Sequence, residues 1–337
     1  MVLELCAILS TTAMDSDSDH AGNFFRDVLP GGYSLDDVLN TLGRFNLENL
    51  GYAGHHGTNP GYLFRGELNY ECPLTSTLER TLLKRFPNGL DHRVLKQEEI
   101  KIVTDFIRNG SADPKVQGQI DAYKVEYPKN YSDDTFWFLS LMRHWGHPTR
   151  IIDFTRDIRF ALFFAVEQYF GNQHNKDGDL VIYCLPCKDL HPNNSTDDNN
   201  NKMPFRFDGQ HVDMNLAVGY EIGIEWMVNN NDRKKVFLEY KSRQKQSFGW
   251  DLPHNQNPRL KRQIGMFVYP FDAPDECLQK TKKSWLLQKL VFNGGHFPCC
   301  ESLMPTRIRI SHKLVTDLKT ILEKRWGLTK ESVYDLI

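Results

Sequence analysis

The sequence contains no apolar run approaching the roughly 20 residues that a membrane-spanning helix needs, so no membrane partner is expected. It also has almost no net charge. Its 41 basic and 43 acidic residues leave −2 over 337 positions, so no global field draws the chain to nucleic acid, and any such contact must be local. Cysteine is sparse and odd in number, seven in all, which disfavours a disulfide framework and suits a reducing compartment. There is no internal repeat, no glycine-rich phosphate loop of the Walker type and no dinucleotide fingerprint. Met1 to Ser10 is apolar but lacks a basic flank and runs into Asp15-Ser-Asp-Ser-Asp19. It reads as a strand or packing segment rather than a signal peptide, and the protein is expected to be cytoplasmic.

Apolar material, by contrast, is plentiful. A hydrophobic fraction of 40% with 12% aromatic residues supports a substantial core. Ser34-Leu-Asp-Asp37 resembles a capping box, and Leu35, Val38, Leu39, Leu42 and Phe45 follow at helical spacing. Gly51 to Gly61 reads as a loop. Tyr62 to Arg65 is expected to be a short strand, with Gly66 allowing a turn or a close approach of ligand to backbone. Helices are predicted over Leu74 to Phe86, Gln97 to Arg108 and Ser132 to Trp145. Strands are predicted at Asp179 to Leu185, Lys235 to Tyr240, Met266 to Tyr269 and Arg307 to Ile310. Phe248 to Pro253 reads as a loop, and Ser311 should cap a final helix. Helices and strands mix without regular alternation, which indicates an α+β fold.

The densest stretch runs from Arg143 to Phe170. Gly146 and Pro148 should stop the preceding helix, a strand should follow from Arg150 to Phe154, and Thr155 can cap a new helix with Asp157 in its first turn. From Ile158 to Phe170 the residues are apolar almost all round, as in a buried helix. Arg143, His144, Arg150, Asp153, Thr155 and Arg156 therefore crowd at its doorstep. They either pair with one another or await a charged ligand, to which the helix N-terminus would add its free N–H groups.

These residues carry a resemblance. His144-Trp-Gly-His-Pro-Thr-Arg-Ile-Ile-Asp-Phe-Thr155 with Ala161-Leu-Phe-Phe-Ala165 resembles the most characteristic motif of the FRG-domain family, and Tyr62-Leu-Phe-Arg-Gly66 resembles the motif that names it. Leu74 to Arg80, Pro258 to Phe267 and Trp326 to Leu336 resemble further family segments in the same order. The resemblance implies an N-terminal helical extension over residues 1–60 and an FRG domain over 61–337. Its polar positions are Arg65, Arg80, His144, Arg150, Asp153, Thr155, Arg259 and Gln263. The excess is of arginine, whose planar guanidinium suits phosphate or carboxylate, so the expected ligand is an anionic small molecule, plausibly a nucleotide.

A more distant resemblance is to ADP-ribosyltransferases. It rests on the order of a strand ending in aromatic-Arg-Gly, a strand with a hydroxyl leading into an Ala- and Phe-rich helix, and a late strand with a polar residue. It implies a mixed, mostly antiparallel sheet packed against several helices, with NAD as substrate, a protein or nucleic-acid acceptor, and a role as toxin or antiviral effector. Arg65, with Gly66, Arg80, Arg150 and Arg259, would hold the nucleotide, while Arg65, His144, Asp153, Thr155 and Gln263 would serve the reaction. Gln263 stands where those enzymes carry an acid, so Asp153 or Glu67 would have to supply a carboxylate. Two other readings remain open. One is a non-enzymatic module that binds a nucleotide or nucleic-acid end; the other is a nucleotide or phosphodiester hydrolase with His144 as general acid and Asp153 orienting it. Asp153 could also simply pair with Arg150 or Arg65 within the core. No metal is expected: His55-His56 lacks a third ligand nearby, and Cys184, Cys187, Cys299 and Cys300 are poorly spaced for a zinc site.

Overall fold

The computed structural model describes residues 26–28, 34–50, 61–71, 74–86, 92–126, 135–171, 178–187, 205–207, 210–212, 248–251, 262–270 and 305–334. His55-His56, Arg259, Cys299-Cys300, the opening segment and the expected strand at 235–240 lie outside these residues.

A seven-stranded sheet organises the chain. Its strands are β1 (Arg26–Val28), β2 (Gly61–Glu67), β3 (Ile152–Thr155), β4 (Leu180–Cys187), β7 (Phe248–Asp251), β8 (Gly265–Pro270) and β9 (Thr306–Ile310), in the spatial order β1-β9-β4-β2-β3-β8-β7. Only β1 and β9 pair in parallel; the other neighbours are antiparallel. Strands β5 (Phe205–Phe207) and β6 (Gln210–Val212) form a separate hairpin. This is an α+β fold with a mixed, mostly antiparallel sheet. The expected loop at Phe248 is instead strand β7, because Gly249 and Asp251, poor strand formers alone, are held by pairing with Tyr269 and Phe267.

The sheet has a weak seam. Strands β2 and β4 match over seven rungs and β3 and β8 over four, but β2 and β3 share a single rung, Phe64 opposite Thr155. Each half has its own apolar partner layer. Tyr62, Phe64, Ile182, Cys184, Ile308 and Ile310 pack with α1 (Leu35–Leu50), α6 (Ile158–Gly171) and α7 (Val315–Lys324). Phe267 and Tyr269 pack with α3 (His92–Asn109), α4 (Pro114–Glu126) and α5 (Thr135–His144). Helix α2 (Thr77–Arg85) rests on α3 through Leu78, Leu82 and Leu95. Strand β1 and helix α1, both from the first 50 residues, belong to this same sheet and core.

Local chemistry explains the element ends. Ser34 Oγ accepts from the Asp37 amide at 3.2 Å and starts α1, as the capping pattern predicts. Ser76 and Glu79 form a full capping box on α2. Helix α5 stops at Gly146, whose φ of 78° is easy for glycine, while the His147 amide reaches back to the Met142 carbonyl at 2.8 Å. Helix α6 departs from expectation at both ends. Its cap is Asp157, whose carboxylate accepts the Arg159 amide at 2.9 Å, and not Thr155. Its last turns are not apolar all round: Glu167 is half-buried and Gln168 and Phe170 are exposed. Among the described residues no helix is long and apolar enough to cross a membrane. They also contain no cluster of three or more His, Cys, Asp or Glu side chains suited to a metal, and Cys184 is buried in the core.

Candidate functional site

Where β2 and β3 part, a cavity of about 620 Å³ opens, within the roughly 300–1,000 Å³ range of small-molecule sites. Its wall is assembled from Phe64, Arg65 and Gly66 of β2, Asp153, Phe154 and Thr155 of β3, and Gln263, Gly265 and Phe267 at the start of β8. Helices supply Gln119 and Tyr123 of α4, Trp137, Arg143 and His144 of α5, and Phe164, Glu167 and Gln168 of α6. Tyr334 comes from α8 (Lys330–Tyr334). The predicted residues Arg65, Gly66, His144, Asp153, Thr155 and Gln263 thus meet in one place.

At its centre is a charge cluster. Arg143 donates to Asp153 Oδ2 through Nε at 2.8 Å and through Nη2. Arg65 donates from Nε to Glu67 at 2.6 Å and from Nη1 to the Asp153 carbonyl at 2.7 Å. That second bond carries the Arg65 side chain across the seam, where the ladder between β2 and β3 has ended. Arg80 stands behind the wall, giving Nη1 to the Thr75 carbonyl at 2.6 Å. Asp153 lies deep in the molecule, yet its side chain is 44% accessible because that surface faces the cavity. Burial pushes its carboxyl up, but the Arg143 charge and hydrogen bond, with Arg65 and Arg80 beyond, outweigh this and hold it below the usual carboxylate range. Burial pulls the Arg143 guanidinium down, and Asp153 more than restores it. Burial likewise lowers Arg80, with Arg65 and Arg143 adding repulsion against Glu67 and Glu79.

Two expected donors have other tasks. The Thr155 hydroxyl gives its proton to the Gln263 carbonyl at 2.7 Å and accepts the Asp157 amide at 3.1 Å, so it clamps the turn before β8 onto the end of β3. That turn contains Ile264 at φ 47°, a left-handed conformation costly for a β-branched residue. The Arg156 amide secures it by donating to the Ile264 carbonyl at 3.1 Å. Gln263 faces the cavity and donates to the Val333 carbonyl at 3.4 Å.

Arg150 is not in the cavity wall. It is fully buried, bonded to Glu99 through Nε at 3.0 Å and through Nη2, with its guanidinium 5.0 Å from the Tyr269 ring centre. It joins α3 to the second half-sheet. Gly66 does border the cavity, but its missing side chain is filled from the other direction: a Cβ there would lie 1.8 Å from the Ala161 carbonyl oxygen. The glycine is needed for α6 to seat on β2. The helix N-terminus does not serve the cavity either, since none of its first turn is in the wall and Asp157 takes the Arg159 amide with its carboxylate and the Phe160 and Ala161 amides with its carbonyl.

Residues 60–174 match the family model described as the FRG domain. An FRG domain is therefore present in this chain. The FRG match covers β2, β3 and α2 to α6, and hence Arg65, Arg143, Asp153 and Glu167, while Gln263 and Tyr334 reach the same cavity from beyond it. Comparison with curated proteins and with solved structures returns no match.

Four cavity groups escape a reading of the FRG motifs as site residues. Arg143 immediately precedes His144 and was recognisable only as part of the charged cluster. Glu167 and Gln168 fall inside an otherwise apolar helix, although their spacing of three and four from Phe164 places them on one face. Tyr334 lies in the last family-like segment, Trp326 to Leu336, but is separated from them by more than 160 positions.

Proposed function

We propose that the cavity binds a nucleotide and that the protein consumes NAD, releasing nicotinamide and either transferring ADP-ribose to an acceptor or handing it to water. The observation that supports this most is the meeting of Arg65 and Arg143 with an aromatic wall in a single cavity at the sheet seam. Guanidiniums suit the pyrophosphate of a dinucleotide, and Phe64, Trp137, Phe154 and Phe164 suit its flat rings. Carboxylates in the wall can stabilise the positive charge that develops at the ribosyl carbon as the glycosidic bond breaks, as in glycoside hydrolysis. A toxin or antiviral effector is the natural setting for such a reaction.

A second reading is a non-enzymatic nucleotide-binding module. It is favoured by the engagement of Asp153, whose carboxylate already serves Arg143 and Arg65. The two readings separate on incubation with NAD, following free nicotinamide and protein mass, beside an Arg65→Ala variant shown to be folded by circular dichroism. Nicotinamide released by the wild type and not by the variant supports an NAD-consuming enzyme, and a gain in mass adds self-modification. Binding of NAD that depends on Arg65, without release, supports the module.

A further inference from the structure

Among the described residues, the cavity wall contains two carboxylates, Asp153 and Glu167, and their surroundings differ in kind. Asp153 is gripped by guanidiniums: Arg143 binds it directly and Arg65 approaches to 3.8 Å. A carboxylate so neutralised contributes little to a further positive charge and is better suited to orienting the arginines. Glu67 is bonded to Arg65 in the same way.

Glu167 is held differently. Its Oε2 accepts the phenolic proton of Tyr334, a neutral donor that fixes the carboxylate without cancelling its charge. Its Oε1 is 3.4 Å from Lys330 Nζ, but that lysine side chain is 58% exposed, and an ion pair open to solvent is screened and weak. Glu167 itself is 21% accessible and shares the cavity-facing side of α6 with Phe164 and Gln168. The Tyr334 ring is fixed in turn, with its centre 5.9 Å from that of Phe163 and 6.4 Å from that of Phe164.

We propose that Glu167 is the catalytic carboxylate of this cavity and that Tyr334 is its positioning residue. This rests on the NAD-consuming reading. In the step it serves, the bond between the ribosyl C1′ and the nicotinamide nitrogen breaks, and its electron pair leaves with the nitrogen, so that cationic nicotinamide departs neutral. Glu167 faces the cationic ribosyl carbon. Water or an acceptor hydroxyl then forms the new C1′–O bond, and its proton passes to Glu167 and on to solvent.

The test is steady-state nicotinamide release by the full chain for wild type, Glu167→Gln and Tyr334→Phe, with the NAD-induced rise in melting temperature as a check on folding and binding. Glu167→Gln is expected to lower kcat by about 100-fold or more while KM and the thermal shift stay within about threefold, as for loss of a transition-state contact. Tyr334→Phe, which keeps its ring packing, is expected to lower kcat about tenfold with KM unchanged. Wild-type kcat in Glu167→Gln overturns the proposal and leaves the NAD-consuming reading intact; a wild type that releases no nicotinamide overturns both. Should Glu167→Gln not fold, Glu167→Asp decides, because it keeps the charge but withdraws it by one methylene. A reduced kcat at unchanged KM then supports the role, and an unchanged kcat overturns it.

Discussion

The backbone of β2 at Gly66 presses directly on the carbonyl of Ala161 in α6: a methyl group at residue 66 would lie 1.8 Å from that oxygen and 3.1 Å from the Ala165 Cβ. The glycine of the first FRG motif and the alanines of the second are therefore two sides of one contact. It places Arg65, one residue before Gly66, and Glu167, two residues after Ala165, around the same cavity.

Replacing Gly66 by alanine should be severely destabilising. The obstacle is backbone, which cannot swing aside like a flexible side chain, and overpacking of this kind costs about 3 kcal/mol. Chemical denaturation of Gly66→Ala should show a lower midpoint, and a wild-type midpoint would mean that α6 can retreat from β2 without loss.

The Glu99–Arg150 pair predicts a stability effect without a binding effect. Both side chains are at most 1% exposed, and removing one partner of a buried pair costs about 3–5 kcal/mol. Glu99→Gln should thus melt well below wild type. Because Arg150 is outside the cavity wall, any affinity of the remaining folded protein for NAD that the proposed function requires, measured by calorimetry, should match wild type.

Asp153 sets an acid limit on stability. Its folded pKa is depressed by Arg143, so its contribution is present above the unfolded carboxylate value of about 4 and disappears as pH falls through the lower folded value. Asp153→Asn should lower stability near neutral pH by about 1–2 kcal/mol, the range of a charge-assisted bond reduced by solvent in the cavity. The gap between wild type and variant should narrow below about pH 4, which denaturant titrations at several pH values will measure.

His144 distinguishes nicotinamide cleavage from phosphodiester hydrolysis. Nicotinamide departs as a neutral molecule and needs no proton, whereas an alkoxide leaving group needs a general acid. On the NAD-consuming reading, His144→Ala should retain nicotinamide release within about tenfold of wild type. A loss of 100-fold or more, the scale of general acid catalysis, with NAD affinity preserved would favour His144 as proton donor.

Much of this architecture was written locally. Hydrophobic spacing and caps identified α1, α2, α3, α5 and α7, short apolar runs identified β2, β4 and β8, and alternation identified β9, because those signals lie within a few residues of one another. Helix α4 gave no comparable pattern, and it is buried on Val116, Ile120 and Tyr123 alone. Strand β7 was invisible for a related reason: its order comes from the partner strand and not from its own residues.

By itself the sequence determined the α+β class and the FRG motifs and marked Arg65, His144, Asp153, Thr155 and Gln263 as candidates, since each lies in a short contiguous segment; that they line one cavity belongs to the tertiary structure. The tertiary structure alone decided which charges face one another. Arg150 and Arg143 are both arginines beside the same motif, yet one reaches Glu99 in the core and the other Asp153 at the cavity. Tyr334 reaches Glu167 across 167 positions. Desolvation makes an unpaired buried charge costly, so partners are chosen by the packing of whole elements, and that packing depends on contacts far apart in the chain.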